Sequence, residues 1–308
     1  MARTRSRVTV LGDLMLDVVL APGRAMESGT DVPGAVDLRQ GGSAANTARW
    51  LARLGARTTL VCAVGRDPEG RALVSAVERD GVRVRATRVA GERTGRIGVL
   101  VAPGGERSFV ADRGAADRLA PSDLRPSDLR ADLLHLPAYS LLGEPLGRAG
   151  RRAIELARAA GALVSLDLAS VGPLLVEGRR EATRLVREVA PDILFATRAE
   201  AAAVAGGRGL ASLHELAGIA VIKQGRSGAT VFAGTAAAPI TFDVATAPIV
   251  AHDTTGAGDA FDAGFLHAWL GAPPDTRQRP ATLRRAVLAG HRAATRQLTS
   301  AARDLVLG

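Results

Sequence analysis

The chain has 308 residues, 47% of them hydrophobic, which suits one large α/β domain or two small ones, and the lone cysteine, Cys62 in the apolar run "TTLVCAV", excludes an internal disulfide framework and a Cys-rich metal site. The formal charge of +9 comes from arginines interleaved with acids along helical stretches such as "RRAIELARAAG"; with 3% aromatics and no RRM, zinc-finger or homeodomain pattern, it reads as solvated helix faces and not as a nucleic-acid footprint. No apolar run approaches the ~20 residues of a membrane span, and the N-terminal "MARTRSRVTVLGD" lacks a signal peptide's apolar stretch, so a cytoplasmic protein with no membrane partner is expected.

In chain order, "RVTVLGD" (7–13) predicts a short buried strand ending in a Gly-Asp turn. The alternating runs at 16–23 and 35–42 predict a small sheet appended to the main core. "SAANTARWLARLG" (43–55) predicts an amphipathic helix stopped by Gly55, followed by the strand "TTLVCAVG" and the helix "PEGRALVSAVERDG". Alternation around "PGGE" within 96–114 predicts a hairpin. Strands "DLLHLPAY", "ALVSLD", "DILFA" and "IAVIKQG" then alternate with helices around "RRAIELARAAG", 179–189, 199–205 and 210–217. The strand "GATVFAG" follows, and helices after Gly258 and at 282–297 close the chain. Strands alternating with helices predict a parallel sheet covered on both faces. The β-rich pieces at 14–40 and 84–113 predict a second, smaller sheet. No composition break marks a linker, so residues 1–308 read as a single domain.

The stretch "HDTTGAGDAF" (252–261) sets Gly256, Ala257, Gly258 and Asp259 directly before an apolar helical run. The first N–H groups of a helix lack intrahelical partners and carry partial positive charge. Side chains this small let a ligand reach the bare backbone, so residues 256–258 suit phosphate oxygens. An adjacent carboxylate suits a base that deprotonates a hydroxyl attacking a phosphoryl group. A plainer reading of the tetrad is a Gly turn with a helix-capping Asp. Other phosphate and catalytic motifs are missing: no Walker loop, no protein-kinase set, no G-x-S-x-G elbow and no H-E-x-x-H. Lys223 is the only lysine in a chain otherwise committed to arginine.

Taken together, the motifs resemble the ribokinase-like (PfkB-type) family of carbohydrate kinases over nearly the whole chain. "GGSAANTARWLARLG" (41–55) resembles the family's N-terminal signature and "DTTGAGDAFDAGF" (253–265) its C-terminal one; "VGRDPEG" (64–70) and "VIKQGRSGATVF" (221–232) fall where members have similar stretches. The resemblance implies a three-layer α/β/α sandwich with a mostly parallel central sheet and a small β-sheet lid, and ATP-dependent phosphorylation of a hydroxyl on a small sugar or sugar derivative. Asp259 is then the general base, and Gly256, Ala257 and Gly258 form the anion hole. Gly12 and Asp17 match the family's sugar-binding strand end, with Asp13 either assisting or only solvating a turn. Gly41 and Gly42 let backbone approach the sugar, and Asn46 offers it a donor and an acceptor. Tyr139 either lines the sugar pocket or packs elsewhere. For ATP, Gly225 and Gly228 allow close approach, and Lys223 either meets phosphate or sits on the surface. Members usually carry Asn-x-x-Glu to organise Mg²⁺ through water; here Glu200 matches and Thr197 replaces the Asn. Asp253 and the backbone of Thr255 match positions where many members bind a monovalent cation such as K⁺.

Departures bear on the substrate. Ribokinases proper have Lys after the Gly-Gly, where this chain has Ser43, and Asn two residues before the sugar-binding Asp, where it has Met15. A thioether is a poor partner for a hydroxyl, so a sugar other than ribose, a sugar acid or a nucleoside is expected. Arg113 either faces an anionic substrate group or is a solvated loop residue. The alternatives are a nucleoside kinase of the same family and, given Thr197, a non-catalytic ligand sensor. The lid is expected to pair two subunits into a homodimer.

Overall fold

The computed structural model describes residues 5–102, 106–235, 237–249, 254–300 and 305. Strands β1 (Arg7–Leu11), β2 (Met15–Pro22) and β3 (Gly34–Gly41) lead into helix α1 (Ser43–Arg53). They are followed by β4 (Arg57–Gly65), α2 (Pro68–Arg79), β5 (Arg83–Val89), β6 (Arg96–Val101) and β7 (Arg107–Asp112). Next come β8 (Leu133–Pro137), α3 (Leu146–Ala159), β9 (Leu163–Asp167), the one-turn α4 (Val171–Leu174), α5 (Arg179–Val189), β10 (Ile193–Thr197), α6 (Arg198–Ala205) and β11 (Ile219–Lys223). The chain continues through β12 (Ala229–Thr235), β13 (Ala238–Val244), α7 (Ala257–Leu270) and α8 (Pro280–Thr299).

Nine strands form one sheet in the order β13-β12-β11-β10-β9-β8-β1-β4-β5. The strands from β5 to β11 run parallel, and β12 and β13 return antiparallel. Strand side chains alternate between faces, so a sheet covered on both sides needs apolar residues at every position. Ile193, Phe195, Ile219 and Val221 join a core with α1, α2, α7 and α8. Their neighbours Leu194, Ala196, Ala220 and Ile222 join a second core with α3, α5 and α6. Cys62 is fully buried in the first core. Among the described residues no helix is long and apolar enough to cross a membrane.

The smaller sheet runs β3-β2-β6-β7. The expected lid boundaries need correction, because residues 83–89 are not part of it. They form β5, which pairs in parallel with β4 from Thr59↔Arg83 to Gly65↔Val89 at the edge of the large sheet. The arginines of "RVRATRV" suit such an edge, where charge discourages further strand pairing. The helix expected near 210–217 is a 3₁₀ segment, Leu210–Glu215. Strand β13 was not anticipated from sequence; it begins "AP" and lies mostly exposed at the opposite edge, where proline is tolerated.

Parallel strands bring their C-terminal ends to one edge of the sheet, where α/β folds bind ligands. Asp13 lies just past β1 and Tyr139 just past β8; Asp167, Thr197 and Lys223 end β9, β10 and β11.

Candidate active site

Along that edge, beside the lid, runs a cleft of ≈ 1320 Å³ lined among others by Asp17, Tyr139, Glu200, Lys223, Gly256 and Asp259. Its floor is the start of α7. Gly256 is the N-cap at φ 72, a left-handed conformation that favours glycine. The Ala257 N–H donates to the Thr254 carbonyl at 3.3 Å. Among the described residues, no protein group accepts from the N–H of Gly256 or Gly258. The anion cradle expected over residues 256–258 therefore rests on the two glycines, with Ala257 already engaged.

Asp259 lies in the same turn. Its Oδ1 accepts from Ser43 Oγ at 2.7 Å and its Oδ2 from Asn46 Nδ2 at 2.9 Å. Burial raises its pKa to about 6; the two hydrogen bonds and Lys223 oppose that rise, and Asp167 adds to it. The carboxylate is thus ionised near neutral pH yet basic enough to take a proton. Asn46 is more committed than expected, because its Oδ1 also accepts from Gln40 Nε2 at 3.2 Å. It orients the Asp259 carboxylate. Ser43, read from the sequence only as a departure, does the same.

The end of the cleft expected to take the sugar centres on Asp17. It is 8% exposed, and its Oδ1 has no hydrogen-bond partner among the described residues. Burial, with Asp13 and Asp259 nearby, raises its pKa to about 7. A Cβ on Gly41 would come within 1.8 Å of Asp17 Oδ1, so only glycine leaves room for this side chain. Gly42, at φ 97, is the N-cap of α1. Asp13 is a structural partner here: its Oδ1 accepts from the Ala44 N–H at 3.0 Å, and its Oδ2 pairs with Arg113 at 3.4 Å. Arg113 also binds Asp117 at 2.6 Å and lies 5.1 Å from the Tyr139 ring centroid. It is therefore not a solvated loop residue but a cleft-lining one paired with two acids. Tyr139 lines the cleft, and burial raises its pKa, keeping the phenol neutral. Met15 does not contact a sugar space; it is fully buried, with its methyl against Gly95.

At the nucleotide end, Gly225 (φ 56) and Gly228 (φ 97) bracket a tight turn in the cleft wall. Thr197 and Glu200 form a capping box on α6: the Thr197 N–H donates to Glu200 Oε2 at 2.8 Å, and the Glu200 N–H to Thr197 Oγ1 at 3.4 Å. Threonine preserves the helix start where the family has Asn. Burial and Asp167 raise the Glu200 pKa. Among the described residues no group of three His, Cys, Asp or Glu could hold a metal ion. A magnesium ion held through water by Glu200 fits that arrangement, since Mg²⁺ retains several waters and binds chiefly to substrate phosphates. Asp253 lies outside the described residues. The Thr255 carbonyl accepts from Gln297 Nε2 at 3.0 Å, and Gln297 Oε1 accepts from Trp50 Nε1 at 3.0 Å, so one lone pair of that carbonyl is already used.

Lys223 requires a correction. Its ammonium is directed at Asp167 (3.1 Å) and at both oxygens of Asp262 (3.2 Å each), and burial leaves its side chain 12% exposed. Sequence reading missed both acids. The signals were an acid closing the apolar strand "ALVSLD" and an acid inside the apolar helix "AFDAGFLHAWL".

A parallel α/β sheet with a bare helix mouth and a shielded carboxylate at its C-terminal edge is the architecture of a phosphotransferase acting on alcohols. Comparison with known proteins narrows this class. The chain matches the pfkB family carbohydrate kinase model over residues 5–303. It is 31% identical to a fructokinase of Klebsiella pneumoniae over 269 residues, covering 84% of this chain and 83% of that one. Among solved structures, adenosine kinase from Sinorhizobium meliloti superposes with TM-score 0.81 at 23% identity, covering 98% of this chain and 97% of that one. An E. coli protein provisionally called ribokinase II, in complex with ATP and Mg²⁺, gives TM-score 0.80 at 22% identity, covering 96% and 94%. The chain belongs to the pfkB family of carbohydrate kinases, and it is a sugar kinase.

Proposed function

We propose that the enzyme transfers the terminal phosphoryl group of ATP to a hydroxyl of an uncharged sugar, with Asp259 as general base. The observation that carries this reading is the Asp259 carboxylate, held by Ser43 and Asn46 beside the Gly256 and Gly258 N–H groups, which have no partner among the described residues. Asp17 orients the sugar by accepting from its hydroxyls. Asp259 takes the proton of the attacking hydroxyl. The glycine N–H groups stabilise charge developing on the transferred phosphoryl, each such donor contributing ~3 kcal/mol. Magnesium, held through water by Glu200, supplies charge neutralisation on the phosphates when bound; ATP and Mg²⁺ in the E. coli relative support their use here. Gly225 and Gly228 leave room for the nucleotide, and Thr197 keeps Glu200 in place. Asp253 and the Thr255 carbonyl are the candidate ligands of a monovalent cation, K⁺ in the first instance; kinetics in potassium and in choline salts test its need.

An uncharged acceptor follows from the charges. Asp13, Asp17 and Asp259 meet at the sugar end, and the nearby Arg113 is balanced by Asp13 and Asp117. Arg39 and Arg107 also act on Asp17 and oppose the other two acids; the acids still outnumber the arginines there, which favours a neutral acceptor over an anionic one. Val36, Phe109 and Val110 are exposed on the lid strands, which supports pairing of two subunits there; light scattering tests it. The deciding experiment is Asp259→Asn, assayed by coupled ADP detection across a panel of neutral sugars, sugar acids and nucleosides. Turnover should fall ~10²–10⁴-fold while ATP and sugar still bind. Near-normal turnover refutes the base assignment; preference for a nucleoside or a sugar acid refutes the acceptor class. ATP binding with no turnover by the unmodified enzyme on any acceptor favours a sensor.

A further inference from the structure

Lys223 ends β11, and its Nζ reaches across to Asp167 at the end of β9 and to Asp262 in α7. Asp262 is completely buried, one turn beyond Asp259 on the same helix. A Cβ placed on Gly258 would lie 3.4 Å from Nζ, so the ammonium sits against the anion cradle, at the cleft wall. The same Nζ lies 5.9 Å from the Phe195 ring centroid. These contacts join two strands and the catalytic helix at a single atom.

We propose that Lys223 is a positioning residue that ties the first turn of α7 to β9 and β11, and so sets the cradle glycines and Asp259 in place without itself binding phosphate. The proposal rests on the kinase reading above. Two physical points support it. First, a buried ion pair is seldom more stabilising than well-packed apolar side chains, yet breaking one leaves an unpaired buried charge. Such a group is better explained by the geometry it fixes than by stability. Second, the chain uses arginine at its other basic positions. A guanidinium is planar and broad, whereas a compact ammonium can meet two carboxylates on different elements in a confined space. Its donors face carboxylates already, which removes the reason to assign it a phosphate.

The test uses the full-length enzyme with Lys223→Met and, separately, Asp262→Leu. Steady-state kinetics are read from about pH 5 to about pH 9, alongside hydrogen exchange of the peptide covering the start of α7. The expected result for Lys223→Met is a kcat lower by ~10–100-fold with the KM for ATP within ~3-fold of the parent. The acid limb of its pH profile should also move to higher pH. The groups acting on Asp259 are Ser43 and Asn46 on α1, Asp17 on β2, Asp167 on β9, Lys223 on β11 and Asp262 on its own helix. Among those charges only Lys223 favours the ionised form. In both variants the first turn of α7 should exchange faster. An ATP KM raised ~10-fold with kcat intact would mark a phosphate ligand and overturn the proposal. So would a lowered kcat with an unmoved acid limb, the mark of a general structural lesion. Unchanged exchange overturns it whether or not the unmodified enzyme turns over any sugar, so its failure is separable from failure of the kinase reading. If Lys223→Met does not fold, Asp262→Leu, which leaves the lysine on Asp167, carries the kcat and exchange readouts.

Discussion

Replacing Asp17 with Asn should make the free enzyme more stable while removing its grip on the sugar. The Asp17 carboxylate is buried, one oxygen has no partner among the described residues, and Asp13 and Asp259 stand close by. Its pKa rises from 3.8 to about 7, first by burial and then by those two acids. A raised carboxyl pKa means that the folded state holds a proton the unfolded chain has released. The penalty is absent below the unfolded pKa, grows through the window between the two values and is complete above about pH 7. At ~1.4 kcal/mol per pH unit, the ceiling is ~4 kcal/mol; local relaxation brings the expected gain for Asp17→Asn to ~1–4 kcal/mol at about pH 8. At about pH 4 the gain should shrink below ~1 kcal/mol. Urea unfolding of both proteins at the two pH values measures it. A variant no more stable than the parent at the higher pH, or an equal gain at both, would refute the assignment of Asp17 as an ionised group held for a ligand.

Gly41→Ala should displace the Asp17 carboxylate, since the new methyl would lie 1.8 Å from Oδ1 and 2.3 Å from Cγ; the sugar KM should rise at least ~10-fold with the ATP KM unaffected, as steady-state kinetics will show. Ser43→Ala removes a 2.7 Å hydrogen bond that favours ionised Asp259. Activity falls as Asp259 protonates, and with sugar saturating Asp17 the acid limb of kcat reports the base, whose pKa is about 6; that limb should move up by ~0.5–1 pH unit in this variant. A limb that stays in place would show that Asp259 is not the titrating base.

The parts of the site visible in the sequence are those that neighbouring residues build by themselves. A helix mouth bare enough for an anion needs only the small residues at 256–258 ahead of an apolar run, and Asp259 follows in the same turn. The alternation of strands and helices likewise forced a covered parallel sheet. Strand order was not visible. Arg83–Val89 has the alternation expected of a lid strand, and only pairing with β4 assigns it to the large sheet. The Ser43–Asp259 hydrogen bond spans 216 residues and the Lys223–Asp167 pair 56. Sequence reading left that lysine to a phosphate or to the surface because neither of its acids is near it along the chain.

Local backbone geometry is encoded locally, so the amino-acid sequence alone determined the bare helix mouth, the carboxylate beside it and the α/β class. Charge, burial and basicity at a site depend on what distant strands bring within a few ångströms. Only the tertiary structure could therefore decide that Asp17 is buried beside two other acids, that Arg113 pairs with Asp13 and Asp117, and that Lys223 meets Asp167 and Asp262.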